Sequence, residues 1–290
     1  MRHQDFIARQ KTVWLDGLSY LTLKVAYTDL GDGEPVILLH GIPTWSYLYH
    51  EVIPLLSPKV RVLAPDFLGH GYSDKRDRFD RSLRAQTRMI LAFMDALGLD
   101  RATIVGHDTG GGVALILGIE HPDRVRRLVL SNVVAYDSWP IDDMIALGNP
   151  HWRAKSPQEV ADFVASGLPD GLYGEKSLTE EFRAGIVAPY SDEEGKISLI
   201  RNASALNTNH TMALVDRHKD IRAPTLVLWG VHDPWQTIRD GESLAREIPG
   251  AHLVRLEHAS HWLQQDAPAE FAREILGFLA ATQPRHNNLT

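Results

Sequence analysis

Short, almost unbroken apolar runs recur along the chain at PVILLHG (35–41), VRVLAPD (60–66), ATIVGHD (102–108), RVRRLVLSN (124–132), APTLVLWG (223–230) and AHLVRL (251–256). Aliphatic and β-branched residues in a row, without polar alternation, mark strands covered on both faces, which implies parallel pairing with helices on each side. Between the runs lie stretches of helical period. SLRAQTRMILAFMDALGL (82–99) places apolar residues at Leu83, Met89, Ile90, Phe93, Met94 and Leu97 and stops at Gly98. Residues 111–120 read as a helix ending near Pro122, and GESLAREI and APAEFAREILGFLAA read the same way. Residues 44–57 are long enough to cross over between two parallel strands. Only the opening, TVWLDGLSYLTLKVAYTDLG, alternates, and Asp16-Gly17 within it predicts a tight hairpin at an antiparallel edge.

The alternation of strand and helix predicts an α/β fold with a doubly wound, mostly parallel sheet. It breaks from Val133 to about Asp220, where Trp, Pro and Gly interrupt short amphipathic pieces such as PQEVADFVASGL. The expected organisation is a core of residues 1–132 and 221–290 carrying an inserted helical cap of residues 133–220, with a frayed tail QPRHNNLT.

Composition narrows the function. The 290 residues are 44% hydrophobic and 23% charged, values of an ordinary globular chain, and the net charge of −7 offers no basic field for nucleic acid or an anionic membrane. With no cysteine there is no disulfide, thiolate nucleophile or Cys-ligated metal. The start MRHQDFIARQ lacks the apolar run of a signal peptide and no segment reaches ~18 uninterrupted apolar residues, so a cytoplasmic location is expected.

Chemistry concentrates in IVGHDTGGGVA (104–114), where Gly106 and Gly110 bracket Asp108 between a strand and a helix. That spacing is the sharp turn that lifts a nucleophile above a sheet, and the helix N-terminus behind it favours negative charge. With HGIPTWSYLY, APDFLGHGYSD, LWGVHDPW and HASHWLQQDAP in order, the chain resembles the α/β-hydrolase fold, specifically its Asp-nucleophile branch of epoxide hydrolases and haloalkane dehalogenases.

The resemblance implies Asp108 as nucleophile, His261 as base and Asp233 as the acid that orients it, with a residual claim by Asp137. It implies an oxyanion hole from the amides of Ile42 and Thr109. A carboxylate suits displacement at a saturated carbon, forming an alkyl ester that water then cleaves. His258 reads as a surface neighbour of His261, His40 and His107 as structural, and Arg124, Arg126 and Arg127 as a solvated strand edge. No metal and no cofactor are expected.

The leaving group divides two reactions. Dehalogenases of this branch place Trp after the nucleophile, and some place Asn at the x of HGxPT; here those positions hold Thr109 and Ile42. Trp139 or Trp152 of the cap is the indole available instead. The arginine that fluoroacetate dehalogenases carry beside the nucleophile is also missing, which disfavours haloacids. Epoxide hydrolases use cap tyrosines as acids, and the candidates are Tyr190 first, then Tyr136 and Tyr173, with His210 or Asn207 as substitutes. The reading is therefore an epoxide hydrolase opening a small apolar epoxide with water, with haloalkane dehalogenation as the alternative. A non-catalytic receptor on the same fold is the remote one.

Overall fold

A computed structural model describes residues 1–77 and 79–283. Eight strands form one sheet in the order β1-β2-β4-β3-β5-β6-β7-β8, from β1 Lys11–Leu15, β2 Leu23–Leu30, β3 Pro35–Leu39, β4 Arg61–Pro65, β5 Ala102–Asp108, β6 Val125–Val133, β7 Thr225–Gly230 and β8 His252–Leu256. β1 and β2 pair antiparallel, β2 runs antiparallel to β4, and the other pairings are parallel. Parallel pairing puts the carboxyl ends of β3, β5, β6 and β7 on one side, and the strand order reverses between β3 and β5. In doubly wound sheets that is where ligands bind.

The unbroken apolar runs are explained by two covered faces. In β3, Val36 and Leu38 enter one buried cluster while Ile37 and Leu39 enter the other, and β7 divides Leu226 and Leu228 from Val227 and Trp229 in the same way. The helix Leu83–Ala96 starts on a Ser82 side-chain cap and ends before Gly98, which takes φ +67°. The helix Thr109–Glu120 is buried nearly all round, so it runs within the core rather than over its surface.

Two expectations need correction. The β1–β2 pairing is antiparallel with Leu15 opposite Leu23, but residues 16–22 form a long connection rather than a two-residue turn. Arg127 is not a solvated edge residue: it is buried and donates to Glu34 and to Thr282, whereas Arg126 is exposed. The polar start folds as a helix, His3–Arg9, whose single buried side chain, Phe6, packs edge-on against Trp45 and Tyr47. One anchoring side chain in seven residues leaves no periodic signal. Of the tail, Pro284–Thr290 lies outside the described residues.

Between β6 and β7 lie the helices Asp142–Leu147, Pro157–Gly167, Glu180–Val187 and Glu193–Ser204, joined by 3-10 turns, which form the inserted cap region over the carboxyl ends of the strands. The cap is tied to the core by hydrogen bonds. Trp45 Nε1 donates to Gly185 O at 2.9 Å, and Asn202 Nδ2 donates to Gly69 O at 2.7 Å.

Candidate active site

β5 ends at Asp108 and the helix begins at the next residue, so the backbone turns sharply there. Asp108 takes φ 51°, ψ −124°, and the pairing of β5 with β6 shifts register between His107 and Asp108. A non-glycine residue in the left-handed half of φ space is strained and persists only where its surroundings hold it. Gly110 allows the turn to close, since a Cβ there would lie 2.4 Å from Leu39 O and 2.5 Å from His40 O. Gly41 approaches the Asp108 side chain itself; a Cβ on it would sit 2.2 Å from Asp108 Oδ1. The reward of that approach is the next amide. Ile42 N–H donates to Asp108 Oδ1 at 2.9 Å.

His261 Nδ1 lies 2.8 Å from Asp233 Oδ2, and His261 Nε2 lies 3.9 Å from Asp108 Oδ2. The first is a hydrogen bond and the second is beyond one, so the imidazole is oriented by Asp233 while its other nitrogen stays available to a small molecule approaching Asp108. The Asp233 carboxylate is fully engaged. Its Oδ1 accepts the amides of Trp235 (2.8 Å) and Gln236 (3.1 Å), and its Oδ2 also accepts Asn132 Nδ2 at 2.7 Å.

Burial raises the Asp108 carboxyl above its usual range, against the opposing pull of His261 and the two amides. Burial lowers His261, but the Asp233 carboxylate and its hydrogen bond outweigh that and the net direction is up.

Above these groups lies a cavity whose floor is Ile42, Asp108, Thr109 and His261 and whose walls are mostly apolar, including Trp139, Phe163, Leu206, Trp235 and Trp262. The lining suits a small apolar molecule. No lysine or arginine lines it among the described residues, and Asp143 adds a carboxylate.

The sequence profile of the alpha/beta hydrolase fold matches residues 34–268. The chain belongs to the α/β-hydrolase-fold family. Within it, the chain falls in the Asp-nucleophile branch related to epoxide hydrolases and haloalkane dehalogenases. A haloalkane dehalogenase 2 of Mycobacterium tuberculosis is 31% identical over 270 residues, covering 87% of this chain and 90% of the relative. A cis-3-alkyl-4-alkyloxetan-2-one decarboxylase of Xanthomonas campestris is 28% identical over 279 residues, covering 89% and 92%. The solved structure of the epoxide hydrolase CorEH superposes with a TM-score of 0.81 at 24% identity, over 94% of this chain and 99% of that one, which is a likeness of fold.

In this α/β hydrolase the leaving-group candidates read from sequence are placed elsewhere. Tyr190 is fully buried and its hydroxyl donates to Pro43 O at 2.7 Å; it does not line the cavity. Tyr136 donates to Glu247 Oε2 at 2.8 Å, and Tyr173 is exposed beside His258, 3.3 Å from its Nδ1. The Trp152 indole donates to Ala146 O and that of Trp139 to Thr211 Oγ1, so Trp139 offers the cavity its ring and not its N–H. His210 and Asn207 are likewise absent from the cavity lining. Spacing along the sequence located these residues in the cap but carried no information about which way the cap helices face.

His40 bridges Gly41 O and the Phe67 amide, and His107 holds Ser131 O, so both brace the turns of the hydrolase. His258 is a surface neighbour, and Asp137 is exposed, without a hydrogen bond to His261. Three residues were given no role in the sequence reading. Asn132, at φ 42° on the end of β6, spans from Gly230 N to Asp233, and Trp235 and Trp262 adjoin the triad loops. Their adjacency to Asp233 and His261 in HDPW and SHW was the available signal.

Proposed function

We propose that this hydrolase displaces a halide from a saturated carbon of a small apolar haloalkane, through an alkyl ester of Asp108. The observation that carries the reading is the Asp108 carboxylate itself, held by the Ile42 amide at the floor of an apolar cavity beside an imidazole oriented by Asp233. An Asp108 oxygen forms the new C–O bond as the carbon–halogen bond breaks, and the electron pair leaves with the halide. His261 Nε2 then takes a proton from water as the water oxygen adds to the Asp108 carboxyl carbon. The oxyanion rests on the Ile42 and Thr109 amides until the ester C–O bond breaks, and the alcohol departs with the proton from His261.

An epoxide oxygen leaves as an alkoxide and needs a proton donor, whereas a halide needs only hydrogen-bond donors. The tyrosines expected to serve an epoxide are engaged away from the cavity, which favours the halide; the mycobacterial dehalogenase relative supports the same choice.

The test is to incubate wild type and Asp108→Asn with a bromoalkane and an aryl epoxide and to measure bromide and diol. Bromide from wild type and none from the variant is the expected result, while diol without bromide would overturn the halide in favour of the epoxide. Single turnover in ¹⁸O-water should place label in Asp108; turnover with unlabelled Asp108 refutes the ester.

A further inference from the structure

Apart from Asp108 and His261, one ionisable side chain lines the reaction cavity among the described residues, and it is Asp143. It stands in the first turn of the cap helix Asp142–Leu147 and is exposed, which places it at the open end of the cavity. A Cβ built on Gly167, another wall residue, would lie 3.9 Å from Asp143 Oδ2, so the carboxylate adjoins a piece of wall with no side chain to cover it. Asp142 occupies the same first turn, so the helix has an acid at its N-terminus without Asp143.

From this end an open groove continues outward. It shares Pro140, Ile141, Asp143 and Trp235 with the cavity, and its charged side chains are Asp137, Asp142 and Asp143. No lysine or arginine lines either space among the described residues, and the net charge of −7 adds to the same field. The cavity wall itself is aromatic. Trp139, Phe163 and Trp235 line it, and the Trp139 N–H is engaged by Thr211 Oγ1, so that indole offers its ring. Trp235 lies edge-on to His261, 4.9 Å between centroids, and also lines the groove, so one indole reaches from the catalytic base to the acidic end. Aromatic rings attract a cation through their quadrupole, and rings beside a carboxylate are the combination that receives an ammonium group. An anion entering here meets only like charge.

We propose that Asp143 sets the substrate class of this cavity: an apolar chain whose reacting carbon reaches Asp108 and whose far end carries an ammonium group, received by the Asp143 carboxylate and the aromatic wall. The inference rests on displacement at Asp108 for the reaction and adds the charge at the other end of the substrate. Asp143 is exposed, so the cation keeps part of its hydration and escapes the cost of a fully buried charge. The same carboxylate turns away substrates that end in an anion.

Three bromoalkanes of one chain length test this, ending in trimethylammonium, in its neutral isostere tert-butyl, and in carboxylate. In wild type, kcat/KM for bromide release should fall in that order. The ratio of ammonium to tert-butyl should drop roughly 3- to 10-fold in Asp143→Asn, the effect of one exposed charge near the substrate, and should shrink in wild type as sodium sulfate is added. Asp143→Glu, which returns the carboxylate, should restore the ratio. A ratio unchanged in Asp143→Asn, or a wild type that does not favour ammonium over tert-butyl, overturns the proposal. Should Asp143→Asn fail to fold, the salt dependence in wild type decides, and a ratio indifferent to salt overturns the proposal. If wild type releases bromide from none of the three, displacement at Asp108 is what fails. The halogen-free alkyltrimethylammonium and its tert-butyl isostere are then titrated calorimetrically against wild type and Asp143→Asn. Tighter binding of the ammonium that is lost in the variant sustains Asp143, and equal binding of the two ligands by wild type overturns it.

Discussion

Asn132 Nδ2 donates to Asp233 Oδ2 at 2.7 Å while Asn132 Oδ1 accepts Gly230 N at 2.9 Å, so one amide side chain ties the end of β6 to the loop that carries the acid. Asp233 thereby meets four donors: Asn132, the Trp235 and Gln236 amides, and His261. A carboxylate so engaged keeps its direction when the imidazole gains a proton.

Asn132→Ala removes a donor and an acceptor from a fully buried site. Stability should fall by about 1–3 kcal/mol in urea unfolding, and ester hydrolysis should slow more than ester formation, because the loss acts on His261 through Asp233. Equal slowing of both steps would show a general collapse of the site rather than loss of positioning.

The pH dependence follows from His261. The base must be neutral, and Asp233 holds its pKa above the ordinary 6.5 despite burial, so ester hydrolysis should fall away as pH drops through a value above 6.5. In Asp233→Asn the burial penalty acts unopposed by that carboxylate, and the acidic limb should move to lower pH. The plateau should also drop by about 10³–10⁴-fold, since the amide no longer fixes the tautomer. Stopped-flow pH profiles of the two proteins check both signs.

Gly41→Ala would set a methyl 2.2 Å from Asp108 Oδ1, displacing the carboxylate from the Ile42 amide. The expected cost is that of losing one oxyanion donor, about 10²–10³-fold in kcat. A variant with wild-type kcat would mean that the HGIP turn does not serve the reaction.

Tyr190→Phe separates a packing role from an acid role. It leaves the Pro43 carbonyl without its 2.7 Å donor, so the melting temperature should fall, while turnover of bromoalkane or epoxide at saturating substrate should persist. Loss of diol formation with unchanged melting temperature would restore Tyr190 as a proton donor.

The sequence by itself determined the layered core. Runs such as PVILL and TLVLWG are apolar at every position because both sheet faces are covered, and that is a local property. It also determined the elbow, because Gly106-His107-Asp108-Thr109-Gly110 needs only its own glycines to be recognised. What tertiary structure decided is which groups share a cavity. The convergence of Asp108, Asp233 and His261 depends on the order β3-β5-β6-β7, set by packing between residues far apart in the chain. The cap itself was legible, but the facing of its side chains depends on how its short helices dock on the core, so a tyrosine at the right place in sequence, Tyr190, turns to Pro43. Asp143 stayed hidden for the complementary reason. An exposed carboxylate reads as solvated surface until its neighbours are known, and only the folded chain sets this one in the wall of the reaction cavity.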